Sequence, residues 1–144
     1  MNYKKLGLVP ALFVITLAVG AQTKVVAHIT NLRNNNGVCR VCIFDNAAAF
    51  TGEGAPVQCV QAPVQNKGSQ AVFENIPAGT YAIAVFHDAN QNNKMDKNFL
   101  GIPNEGYGAS RNKLPYTSAP GFDENKFVAP DKTTTTLRIR LRYL

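Results

Sequence analysis

Over Thr80–Phe86 large residues (Tyr81, Ile83, Val85) alternate with small or polar ones (Thr80, Ala82, Ala84). That period of two belongs to a β-strand, and the small–large alternation suits a site where two sheets pack closely. Weaker versions of the signal recur along the chain. In Lys24–Thr30, Val25, Ala27 and Ile29 oppose Val26, His28 and Thr30, and Val38–Phe44 is rich in β-branched and apolar residues. Val57–Val64 reads as a strand that Pro63 confines to an edge or an end. Gln70–Phe73, Lys126–Ala129 and Thr133–Leu144 complete the set, the last with Leu137, Ile139 and Leu141 on one face and Arg138, Arg140 and Arg142 on the other. The arginine row reads as a charged guard on a solvated face. Asn34–Gly37, Asn66-Lys67-Gly68 and Ile76–Gly79 supply turns, and only Ala47–Phe50 suggests a helical turn. The pattern predicts an all-β fold, a single β-sandwich of about seven strands with one long ordered loop.

The chain of 144 residues suits one domain, and with 45% apolar and 17% charged residues it can build a core. Its start reads as an export signal. Met1–Lys5 is positive, Leu6–Gly20 is uncharged, and Val19-Gly20-Ala21 offers small residues for cleavage before Gln22. The apolar run, about 15 residues broken by Pro10, is short of the ~20 that span a bilayer. The expected division is a signal peptide over 1–21 and one β-sandwich over 22–144, exported to the periplasm or beyond and not membrane-spanning once cleaved. Lys4 and Lys5 account for two of the +6 formal charges, leaving +4, with the remaining basic residues scattered apart from Arg138, Arg140 and Arg142. With no zinc-knuckle spacing and no RNA-binding aromatic signature, nucleic acid is not an expected partner.

Export gives the cysteines an oxidising compartment. Cys39 and Cys42 on one strand would face opposite ways about 10 Å apart, beyond the ~7 Å limit for a disulfide. The open readings are a bridge from Cys59 to one of them, with Cys42 favoured, or three separate thiols.

The stretch from Asp88 to Glu124 is polar and aperiodic, and a loop of more than about 15 residues inside a domain is usually functional or disordered. Its opening, His87–Asp96, spaces oxygen donors at alternate positions. Asp88, Asn90, Asn92, the Lys94 carbonyl and Asp96 fall on positions 1, 3, 5, 7 and 9 of a calcium loop, with Asn93 at the sharp turn. Phe99 stands where a bidentate glutamate is usual, so any affinity for Ca2+ would be modest, and Glu105 could supply a carboxylate by folding back. The competing reading is an asparagine-rich turn that bonds its own backbone. His87, Glu105, Tyr107 and Ser110 are candidate binding-loop residues, with Phe99 and Tyr116 adding aromatic surface. No Gly-x-Ser-x-Gly, His-Glu-x-x-His or phosphate loop is present. The leading expectation is therefore a non-enzymatic binding or accessory module for an envelope protein, a peptide or a glycan. The alternatives are a hydrolase using His87 with Glu105 or Asp88, and a purely structural envelope protein.

Phe73–Asp88 with Asn90, Asn92, Lys94 and Asp96, then Asn98–Ser110 and more weakly Ala119–Glu124, resembles the bacterial domain of unknown function numbered 2141. The resemblance implies an exported protein of Gram-negative bacteria. The segment Ile76–Tyr81 is similar to one in transthyretin-like and carboxypeptidase-regulatory-like sandwiches, mostly accessory or binding modules, which implies an immunoglobulin-like or prealbumin-like sandwich. Two departures stand out. Asn92-Asn93 replaces a usual Asn-Gly, making the turn costlier, and Asn104 replaces a lysine beside Glu105.

Overall fold

The computed structural model describes residues 22–144, and the expected signal peptide over 1–21 lies outside the described residues. Eight strands follow in chain order: β1 (Lys24–Thr30), β2 (Val38–Phe44), β3 (Gln58–Gln65), β4 (Gly68–Glu74), β5 (Gly79–Asp88), β6 (Tyr107–Ala109), β7 (Phe127–Ala129) and β8 (Thr134–Arg140). Single helical turns α1 (Ala47–Phe50) and α2 (Phe122–Asn125) precede β3 and β7. The Asn46 side chain caps α1 by accepting from the Ala49 N–H.

Hydrogen bonding runs β6-β5-β2-β3-β4-β1-β8, with β7 also beside β5. The β1–β8 pair is parallel and the other pairs are antiparallel. The β3–β4 hairpin pairs only Val64 and Gln65 with Ser69 and Gly68 before the two strands part. Pro63, with no N–H to give, lies just before that short pairing. At the opposite seam, Tyr107 of β6 exchanges backbone hydrogen bonds of 3.0 and 2.8 Å with Arg142, just past β8. Two sheet faces thus lie against one another and are stitched along both margins, a sandwich drawn nearly into a barrel. Closure of this kind leaves few open edges for other chains to pair with.

The core lies where the alternation puts it. Val25, Ala27 and Ile29 of β1, Cys39, Val41 and Ile43 of β2, Tyr81, Ile83 and Val85 of β5, and Ile139 of β8 are buried together with Phe73. Fully burying a side chain of this size stabilises by roughly 1.5–3 kcal/mol. A second, smaller cluster forms outside the sheet, where Tyr107, Ala109 and Leu114 pack with Phe50, Phe86 and Met95. Cys42 and Cys59 stand directly opposite across β2 and β3 and form a disulfide. It closes a span of 17 residues, which is worth about 3 kcal/mol in a chain-entropy account. Cys39 faces the core as a thiol, and burial pushes its pKa up to about 11.

Candidate functional site

His87 and Asp88 close β5 and, as neighbours on a strand, face opposite ways. His87 turns into the end of the barrel, 2% exposed. Its Nε2 meets the Asn36 carbonyl at 2.6 Å and its Nδ1 meets the Tyr143 hydroxyl at 3.0 Å. A carbonyl only accepts, so Nε2 carries a proton. The Tyr143 hydroxyl also accepts from the Arg33 N–H. Gly106 makes room for this group, since a Cβ there would lie 2.3 Å from the Tyr143 ring. Burial raises the Tyr143 pKa. Both ring nitrogens of His87 are committed, and neither is open to a substrate.

Asp88 turns outward yet is fully buried beneath the loop that follows it. Its carboxylate accepts from Arg40 Nε at 2.5 Å and from the backbone N–H groups of Asn92 and Asn93 at 3.1 and 3.0 Å. Burial alone would raise the pKa, but the Arg40 bond, the two N–H donors and the guanidinium charge prevail and hold it below its ordinary value. A second Arg40 nitrogen reaches the Asn93 side-chain oxygen. Gly37 completes the wall: its φ is +64°, and a Cβ there would lie 1.9 Å from the Asp88 carbonyl oxygen.

From Asp88 the chain winds on its own polar groups. The Asn90 and Asn92 side-chain oxygens accept from the Asn92 and Lys94 N–H groups, while their Nδ2 groups each donate to Asp96 at 2.7 Å. Asn93, expected at the sharp turn, has φ +66°. Glu105 does fold back, 8% exposed, and accepts from the Ala89 N–H at 3.2 Å and the Asp96 N–H at 3.1 Å, tying the two arms of the loop together. Asp88, Asn90, Asn92 and Asp96 are thus gathered in one curl. The cation that Asp88 faces is a guanidinium, and the amides turn N–H groups, not oxygens, toward Asp96. Among the described residues no three His, Cys, Asp or Glu side chains are placed to share a metal ion.

The other candidate residues serve the scaffold. Ser110 Oγ accepts from the Ile83 N–H and donates to the Asn125 carbonyl, and Tyr107 packs in the outer cluster. His87, Glu105, Tyr107 and Ser110 are all buried, so the loop offers solvent other groups. Between Lys97 and Pro103 it forms an arm whose tip exposes Phe99 at 95%, Leu100 at 68% and Ile102 at 39%. Beside the arm runs a groove of about 520 Å³ lined by Met95, Leu100, Ile102, Tyr116 and Leu144 among others. The sequence reading missed Arg40, although it is the one charge within an otherwise apolar strand. It also missed Asn125, fully buried and bonded to the backbone of Arg111, Lys113 and Gly121, for which no local signal exists.

The profile of a family described as uncharacterized protein conserved in bacteria (DUF2141) matches residues 27–137, a span reaching from within β1 to within β8. No curated protein and no solved structure matches the chain.

Proposed function

The chain belongs to the family described as uncharacterized protein conserved in bacteria (DUF2141), and on that premise we propose that it is an exported, non-enzymatic binding module whose 88–110 loop is a prefolded recognition surface for an envelope partner. One observation carries the reading: the loop's buried polar groups are satisfied internally while its apolar side chains face solvent. Among the described residues no buried side-chain nitrogen or oxygen lacks a hydrogen-bond partner. A loop held this way is ordered before it meets a ligand, so little entropy is lost on binding. The leader-like 1–21 segment and the Cys42–Cys59 disulfide support export. The likeness of Ile76–Tyr81 to accessory sandwich modules supports a binding role. The commitment of both His87 nitrogens supports a non-enzymatic reading over a hydrolase.

The test is retention. Envelope extract passed over immobilised protein should leave a component on the wild type that Leu100→Ser with Ile102→Ser does not keep. Equal retention by both, or none by either, would overturn the proposal.

A second reading makes calcium, not Arg40, the organiser of the loop. The curl that brings Asp88, Asn90, Asn92 and Asp96 together supports it. Loading an ion there requires rotating two amides and loosening the Arg40 pair, so the expected affinity is no better than ~10⁻⁴–10⁻³ M. A melting temperature that rises with millimolar calcium in wild type but not in Asp96→Ala favours this reading, and unchanged melting dismisses it.

A further inference from the structure

The arm between Lys97 and Pro103 is built to hold apolar side chains away from the body. Asn98 closes its tip: the Asn98 N–H donates to the Ile102 carbonyl, and its side-chain oxygen accepts from the Leu100 and Ile102 N–H groups at 2.9 and 3.0 Å. Gly101, at φ +77°, completes the turn. Phe99 stands outside the adjoining groove, its ring almost wholly in water. Among the described residues no contact explains a phenylalanine in that position, and exposed apolar clusters mark interaction sites.

The charges around the arm name the partner. Lys97 lines the apolar groove. Across the exposed Tyr116 ring lies a second depression of about 400 Å³, lined by Arg140 and Arg142. The Arg142 guanidinium lies 4.3 Å from the Tyr116 ring centre, and its Nη1 donates to the Leu114 carbonyl, which leaves its other nitrogens for a ligand. Neither depression contains an Asp or Glu side chain. The surface therefore joins a projecting apolar tip to three cations.

We infer that this surface docks on an anionic lipid bilayer, Phe99 and Leu100 entering the headgroup boundary while Lys97, Arg140 and Arg142 meet lipid phosphates. The inference rests on the recognition-surface reading and supplies its partner. A bilayer fits better than a protein because a fluid surface accepts a protruding ring without a matching pocket. Aromatic and aliphatic side chains flanked by cations are the chemistry that holds peripheral proteins at such an interface. No helix among the described residues is long and apolar enough to cross a membrane.

Vesicle sedimentation tests it, using residues 22–144, which hold the eight strands named above and the core between them. Wild type should bind phosphatidylglycerol-containing vesicles and ignore pure phosphatidylcholine. Phe99→Ser with Leu100→Ser should weaken binding ~tenfold or more, since each loses most of its transfer into the interface. Lys97→Gln should weaken it ~fivefold, with the difference vanishing in high salt. The chain has no tryptophan, so Phe99→Trp places a single reporter at the tip, and its emission should shift to the blue on anionic vesicles. No vesicle binding, equal binding by the serine variant, or unshifted Trp emission on bound protein would overturn the inference. Should vesicles be ignored while envelope extract still leaves a component on wild type alone, the lipid partner falls and the recognition surface stands. Failure of both removes both.

Discussion

At the base of the 88–110 loop the polar groups Arg40, Asp88 and Glu105 are drawn out of solvent, while at its tip Phe99, Leu100 and Ile102 are pushed into it. The usual distribution of side chains is inverted twice within one segment. At the base, the cost of burying charge is offset within the molecule by an ion pair and by backbone N–H groups aimed at each carboxylate oxygen. At the tip nothing among the described residues covers Phe99, Leu100 or Ile102 fully. The base is thus satisfied within the molecule, and the tip is the part that the proposed partner would cover. Fold stability should accordingly respond strongly to changes at the base and hardly at all to changes at the tip.

Arg40→Met should have the largest effect. It leaves the Asp88 carboxylate buried without its counter-charge, and breaking a buried pair costs about 3–5 kcal/mol. The Arg40 side chain is 17% exposed, which lets some water in and sets the expectation near 3 kcal/mol by urea unfolding. A loss under about 1 kcal/mol would mean that Asp88 is held by the backbone alone. The same pair shapes the acid response. A carboxyl whose folded pKa is depressed adds stability that is present above its unfolded value, about 3.9, and is lost as pH falls through the folded pKa. Wild type should lose stability as pH drops below about 4, and Asp88→Asn should flatten that limb.

Glu105→Gln comes next. The amide keeps one acceptor of the right kind but turns an N–H group toward one of two backbone donors, Ala89 or Asp96. The expected loss is about 1–2 kcal/mol, with the amide protons of Ala89 and Asp96 exchanging faster while those of β1 and β2 do not change. Faster exchange throughout the sheet would show that the loop and the barrel unfold as one unit, and the contrast between base and scaffold would lose its meaning.

How far the sequence foreshadows this arrangement follows from which interactions are local. Alternation in Lys24–Thr30, Thr80–Phe86 and Thr133–Leu144 tracks burial, with buried Ala82 the exception, because a strand's neighbours along the chain report its two faces. The β1, β2, β5 and β8 strands and the facing of Cys39 against Cys42 were legible for that reason. The seam between Tyr107 and Arg142 was not, since β6 has three residues, too few to show a period. Residue type drew attention to His87, Glu105 and Ser110, but type does not separate a ligand-facing group from a buried one. Partners 51, 16 and 27 positions away decide that. Arg40 was passed over on the same ground, its carboxylate lying 48 residues along the chain.

The smallest expected effect is the one that most sharpens the contrast. Phe99→Ser with Leu100→Ser removes two large apolar side chains from positions where water already surrounds them, so the folded state forfeits little burial that it possessed. The turn beneath them is closed by Asn98 through backbone donors that both substitutions leave in place. Removing exposed hydrophobes also makes the unfolded and folded chains more alike in their interaction with solvent. The double variant should therefore unfold within about 0.5 kcal/mol of wild type, and its amide exchange at Ala89 and Asp96 should be unchanged. A loss several times larger would mean that the tip packs against the body in solution, closing over the groove beside Tyr116. The exposed tip on which both the recognition surface and the lipid contact depend would then not exist.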